Sequence, residues 1–334
     1  MLAAFLLSAF IERSMTEMLV ESRARISDRL RADAHSALEA TLAVLADYQA
    51  VDNGLRSPAQ GWGQPLADIT LPARPGTTVE VQFEDETGRL SLPRLVAPGL
   101  EELGRQIGLK ETDLTVFAEA LLVWTKATGT SSRYETDPRN YEYADPPHHP
   151  PGRPLESFDE LASIAGVREL LYHPDGRPNE IHDRFTRSVS RFDFPAMNIN
   201  TATADTLALA GLDPAQSQRL LDLNSGAVPR VPGRPPYFRS VAEARTEAGI
   251  IGPLPGFDTV VHCLRITVTV REGATAFHLI AVVRPGTAGD TTPETGTAPA
   301  ATTAAAAPAP QSLNYPFTLL DLEEKIELAP PPVS

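Results

Sequence analysis

Residues 79–90 read VEVQFEDETGRL, and their pattern sets the frame for the whole chain. Val79, Val81 and Phe83 alternate with Glu80, Gln82 and Glu84, the period-two signature of a half-buried strand. Asp85-Glu86-Thr87-Gly88 supplies turn chemistry and Leu90 and Leu92 resume the alternation, so the segment predicts a β-hairpin. Downstream, from Pro98 to about Gly256, the pattern turns helical. Strand periodicity returns at Val260–Arg271, Glu272-Gly273 turns the chain, and Phe277–Val283 runs back. Upstream, apolar positions at Met15, Leu19, Ile26, Leu30, Ala34, Leu38, Leu42 and Leu45 fall on one helical stripe, and no proline interrupts before Pro58. One helix is expected from about residue 2 to about 50. The order helix, strands, helices, strands implies an α+β fold in which a sheet is interrupted by a helical insertion.

The 334 residues carry 29 basic against 43 acidic side chains, a net charge of −14, with 42% hydrophobic residues. That content supports a buried core and argues against a disordered chain. A pI near 5.0 disfavours polyanionic partners, because phosphate binding needs clustered Lys and Arg. One cysteine, Cys263, excludes an intramolecular disulfide and any C-x-x-C motif, and reads as an inert small residue on the polar-leaning face of its strand. The 31 prolines and 22 glycines imply many loops and caps.

Residues 1–11, MLAAFLLSAFI, are almost wholly apolar but too short to span a bilayer, which needs about 20 such residues. They lack a basic region in front and a cleavage pattern behind. The helix is therefore either an ordinary core helix with greasy first turns or one whose start lies in lipid or among other helices. Residues 285–312 are Ala, Thr, Pro and Gly with hardly any charge, the composition of a flexible linker. Within 313–334, Phe317, Leu319, Ile326 and Leu328 are placed to return a strand to a sheet edge.

Chemical motifs are sparse. There is no phosphate-binding G-x-x-x-x-G-K-[ST] or G-x-G-x-x-G loop, no H-E-x-x-H and no G-x-S-x-G, which weighs against an enzyme. His148-His149 lies between prolines as a solvated pair, and Glu84-Asp85-Glu86 reads as a solvated hairpin tip. Cap signals are clear: Ser157 with Glu160 before a helix stopped by Gly166, Thr203 before a helix ending at Gly211, Asp213-Pro214 opening the next, and Ser240 with Glu243 before Gly249. Residues 198–249 thus form a unit similar to a helix-hairpin-helix. In DNA-binding members of that class the turn offers backbone N–H groups to phosphate. Here it reads Gly211-Leu212-Asp213, with an aspartate that repels phosphate, so the unit is assigned a structural role, with DNA binding of the competence type as the alternative function.

Taken together these residues resemble the type II secretion system minor pseudopilin K family. The resemblance rests on the amphipathic N-terminal helix, Trp62 before a proline stretch, Val79–Leu92 with Asp85 and Gly88-Arg89-Leu90, and Tyr141 or Tyr143 before Pro146-Pro147. The two most specific motifs are Pro154–Leu161 with Gly166, and Asn198-Ile199-Asn200-Thr201-Ala202. It implies a pilin-like long N-terminal helix packed on an antiparallel sheet, with a large all-α insertion holding the helix-hairpin-helix (SAM-like) unit. The expected division is helix 1–50, first pilin part 51–97, helical insertion 98–256, C-terminal hairpin 257–284, linker 285–312 and tail 313–334. It further implies a non-enzymatic subunit, single-pass in the inner membrane with a periplasmic body, whose apolar start is truncated here. Such a subunit joins I- and J-type minor pseudopilins at the pseudopilus tip and does not bind nucleic acid. Met15, Leu19, Ile26, Leu30, Leu38 and Leu42 are expected to pack on partner helices. The family's calcium site departs here, because Trp124 is followed by Thr125-Lys126, leaving Glu135, Asp137 and Asn140 as the oxygen ligands for a structural calcium.

Overall fold

A computed structural model describes residues 2–69, 76–126, 136–143, 146–286 and 316–328; the side chains of residues 2–24 and of Asn140 lie outside that description. The helices are α1 (Leu2–Asp52), α2 (Ala97–Ile107), α3 (Leu114–Lys126), α4 (Arg168–Leu171), α5 (Glu180–Ser188), α6 (Ala204–Leu209), α7 (Pro214–Ser225) and α8 (Val241–Ala248). The strands are β1 (Thr77–Asp85), β2 (Leu90–Ser91), β3 (Val189–Ser190), β4 (Met197–Asn198), β5 (Phe257–Asp258), β6 (Leu264–Glu272), β7 (Thr275–Pro285) and β8 (Phe317–Glu327). Two compact units result, one of residues 1–84 with 264–334 and one of residues 85–263. The second unit is wider than the 98–256 read from helical periodicity, since it starts where β1 ends and closes one residue before β6.

In the first unit a four-stranded sheet has the order β1-β6-β7-β8. β6 and β7 form an antiparallel hairpin in register from Leu264↔Val283 to Glu272↔Thr275, with Gly273 in the left-handed region at φ 61°. β8 lies antiparallel to β7 at the edge, with a register irregularity at Val282/Val283. α1 packs on β6 and β7. Its face is Leu30, Ala34, Ala37, Leu38, Thr41, Leu42 and Leu45, all buried, spaced so that successive side chains stay on one side of the cylinder. Cys263 is fully buried just before β6, rather than on a polar-leaning face. Trp62 is fully buried, stands edge-on to Phe83 at 5.0 Å, and donates its indole N–H to Gln60 Oε1 at 3.0 Å.

The hairpin expected over residues 79–92 does not form. β1 is a strand with the expected alternation, but its sheet neighbour is β6. Asp85 accepts from Thr87 N and caps a 3-10 turn, Glu86–Gly88. The chain then enters the second unit, where β2 pairs in parallel with β3. Alternation identifies a strand and says nothing about its partner.

The second unit has two apolar clusters. One surrounds α2, α3 and α5, with Leu103, Phe117, Leu121 and Phe185 fully or almost fully buried; the other surrounds α6, α7 and α8, with Ile199, Leu207, Leu220 and Phe238. Leu90 packs against both. Between them runs a polar knot. Asp85 Oδ2 accepts from Asn198 Nδ2 at 2.7 Å and Thr201 Oγ1 at 2.6 Å, while Oδ1 accepts from Thr87 N at 2.9 Å and from the Thr87 hydroxyl. Glu86 is buried, its N–H donating to Cys263 O at 3.0 Å, while Asp85 is half-buried and Glu84 exposed, so only the first carboxylate of this acidic run is solvated. Gly88 is required by proximity: a Cβ there would come 2.5 Å from Thr201 O. Asn200 extends the knot, its Nδ2 donating to Phe238 O and Thr259 O and its Oδ1 accepting from Phe238 N at 2.7 Å.

Two further polar hubs hold the helices. Ser157 and Glu160 form the expected capping box, but on a 3-10 turn, Phe158–Ser163, followed by the separate α4. Glu160 also accepts from Trp124 Nε1 at 3.0 Å and Glu156 N at 2.8 Å, and these bonds hold its carboxyl below the usual range against the opposing effect of desolvation. Arg230 stacks 4.1 Å over Phe238 and bonds Glu243 and Glu247 on α8, lowering the pKa of Glu247.

Two outcomes are expected. Leu38→Ala removes a side chain buried within this chain, so urea denaturation of the isolated protein loses about 3 kcal/mol with no partner present. Asp85→Ala strands the donors of Asn198, Thr201 and Thr87 and costs about 2–4 kcal/mol. Desolvation raises the Asp85 pKa above its unfolded value in spite of these bonds. Its contribution is therefore fullest below the unfolded pKa and is lost as pH rises through the folded one. The stability gap between wild type and Asp85→Ala, measured at pH 7 and at pH 4.5, is expected to be wider at pH 4.5.

Candidate interaction surfaces and the candidate calcium site

At 1.5 Å per residue the 51 residues of α1 extend about 76 Å, whereas the 9 to 11 residues of the long strands reach about 30–37 Å. The helix therefore outruns the sheet it packs on. Among its described side chains none before Leu30 is buried. This corrects the assignment of Leu30, Leu38 and Leu42 to partner helices: they belong to the core of their own unit. A single stripe cannot reveal whether its complement is a sheet of the same chain or another helix. Ile26 is half-buried, and the side chains of Met15 and Leu19 lie outside the described residues. No helix among the described residues is long and apolar enough to cross a membrane.

Of the large apolar side chains exposed among the described residues, four lie along one strand: Leu319, Leu322 and Ile326 on β8, and Leu328 just after it. β8 also meets α1, since Glu324 Oε1 lies 3.0 Å from both Arg31 Nε and His35 Nε2. The hydrogen bond from His35, with help from Arg31, holds the Glu324 carboxyl below its ordinary range.

Residues 198–249, read above as similar to a helix-hairpin-helix, form three short helices, α6, α7 and α8. Thr203 caps α6 and Gly211 turns the chain at φ 84°. Asp213 Oδ1 accepts from Gln216 N at 2.9 Å, so the N-terminus of α7 is satisfied by the chain's own carboxylate. Leu207, Leu212 and Leu220 around the turn are buried in the second apolar cluster.

Of the three calcium ligands read from the sequence, Glu135 and the side chain of Asn140 lie outside the described residues. Asp137 is described, and both its oxygens are taken by Arg139, whose Nε lies 3.1 Å from each. This pairing lowers the Asp137 pKa to about 2. The one described carboxylate of this set is thus already paired with a guanidinium, which competes with a dication for its oxygens. Among the described residues no three His, Cys, Asp or Glu side chains gather to hold a metal. The nearby His148 is half-buried rather than solvated, its ring 5.2 Å from Tyr141 and 6.1 Å from Trp124. Millimolar calcium is expected to leave the thermal midpoint unchanged within about 1 °C and to give no binding heat in isothermal titration.

No sequence family and no curated protein matches the chain. Among solved structures it is similar to a chain of the GspK-GspI-GspJ complex from the type 2 secretion system of enterotoxigenic Escherichia coli, with a TM-score of 0.58 and 12% identity over 92% of this chain and 100% of that chain. At that identity the likeness concerns the fold, and the fold shared is that of a pseudopilin: mixed helix and antiparallel sheet.

Proposed function

We propose that this chain is a K-type minor pseudopilin that sits at the tip of a type II secretion pseudopilus and starts or caps its assembly. The observation that carries the reading is the architecture: a 51-residue helix laid on β6 and β7, with residues 85–263 inserted into the chain between β1 and β6. The likeness to a chain of the GspK-GspI-GspJ complex supports the same reading. The role is mechanical rather than catalytic. The overhanging first half of α1, with Met15, Leu19 and Ile26, packs on sibling helices and anchors the subunit in the inner membrane, its body in the periplasm. The inserted unit adds bulk that an inner position in a filament has no room for. Its partners are the I- and J-type minor pseudopilins.

The self-capped α7 turn and the net charge of −14 favour this reading over the DNA-binding alternative. Co-expression of the body with I- and J-type minor pseudopilins of the same cell is expected to give a stoichiometric complex on size exclusion. Immunogold labelling is expected to mark one end of assembled pseudopili. Labelling along the shaft, or a robust low-salt gel shift with duplex DNA and no complex, would overturn the proposal.

A further inference from the structure

We infer that β8 is an exchangeable strand, a segment that occupies the edge of β7 as a ligand does and that the same segment of a second copy can replace. Register supplies the first observation. Pro285 stands opposite Phe317, and Gly286 N donates to Pro316 O, so β7 ends where β8 begins. Antiparallel neighbours in that position can be joined by two residues, and β6 and β7 are joined by Gly273 and Ala274 alone. Yet residues 287–315 intervene before β8. The stretch of chain between β7 and β8 is thus far longer than the two residues that join β6 to β7.

Burial supplies the second. Of the β8 side chains only Phe317 is buried, with Leu320 and Asp321 half-buried and the run from Leu322 to Glu327 exposed. β7 differs sharply: Phe277, Leu279, Ala281 and Val283 are buried, and β7 packs on α1 and pairs with β6. Departure of β8 would therefore leave β7 in place with an open edge.

The third observation is a specific latch. Leu322, Glu324 and Ile326 stand opposite Ala281, Leu279 and Phe277, on the α1 side of the sheet. Glu324 there meets Arg31 and His35 of α1 at 3.0 Å. On the other side Glu327 approaches His278 at 3.6 Å. Main-chain pairing gives affinity for any extended segment, and the carboxylate of Glu324 between two basic side chains selects this one. The occupant the edge fits is thus residues 317–327, in cis or from a second copy.

Hydrogen exchange of the full-length chain tests this directly. The amides of β8 are expected to exchange together at least tenfold faster than those pairing β6 with β7, and Glu324→Lys is expected to widen the gap. Exchange of β8 at the same slow rate as β6 would overturn the inference, whatever truncated variants do. A chain ending at Gly286, if folded, is expected to bind a synthetic peptide of residues 316–328 at one to one, and the peptide carrying Glu324→Lys at least tenfold more weakly. A folded truncated chain that ignores the peptide, or binds both peptides equally, would also overturn it.

Discussion

The carboxylate of Asp85 is the constraint on which the layout of the chain depends. It ends the first strand of the sheet, caps the turn that follows, and accepts hydrogen bonds from Asn198 and Thr201 more than a hundred residues later. A desolvated carboxylate is costly unless its lone pairs are filled. Donors from Thr87, Asn198 and Thr201 fill them, which fixes where the polypeptide leaves the sheet and which later segment it must meet. Asn200, one residue before Thr201, carries the same network on to Phe238 and Thr259. The Asn198–Ala202 motif is therefore a set of hydrogen-bonding side chains that staples the start of the inserted unit to its second apolar cluster.

The two units are stabilised by different means. In the first, a stripe of leucines and alanines on α1 meets an antiparallel sheet, and the core is almost wholly apolar. In the second, short helices and two-residue parallel strand pairs surround two separate apolar clusters, and polar hubs tie their connections together. Glu160, Asn200 and Arg230 each satisfy several neighbours and hold the connections between them. A chain so rich in proline and glycine needs such hubs, because its loops otherwise leave backbone groups unpaired.

Candidate site residues fared according to how local their chemistry is. Caps depend on residues two or three positions apart: Thr203 and Asp213 open α6 and α7 as the sequence implies, Ser157 caps a 3-10 turn instead of a helix, and Ser240 accepts from Glu243 N while the Glu243 carboxylate turns to Arg239 N rather than back to Ser240. The Asp137 carboxylate was legible as an oxygen donor, but its capture by Arg139 turns on side-chain direction, which composition does not encode. His148 lies against Trp124 and Tyr141 for a similar reason: proline-flanked histidines look solvated until the fold brings aromatic rings to them.

By itself the sequence determined what each segment is: the long helix from an unbroken apolar stripe, β1 and the β6–β7 hairpin from alternation and a Glu-Gly turn, and the helix starts from their caps. These are properties of neighbours along the chain, where 3.6- and 2-residue periods and capping bonds operate. Tertiary structure decided what each segment touches. It paired β1 with β6 instead of closing a hairpin on Leu90, claimed Leu30, Leu38 and Leu42 for the chain's own sheet, and brought Asn198 to Asp85. The physical reason is that an apolar face or a buried carboxylate specifies only that it must be covered or bonded, and which distant group does so depends on the whole chain closing at once.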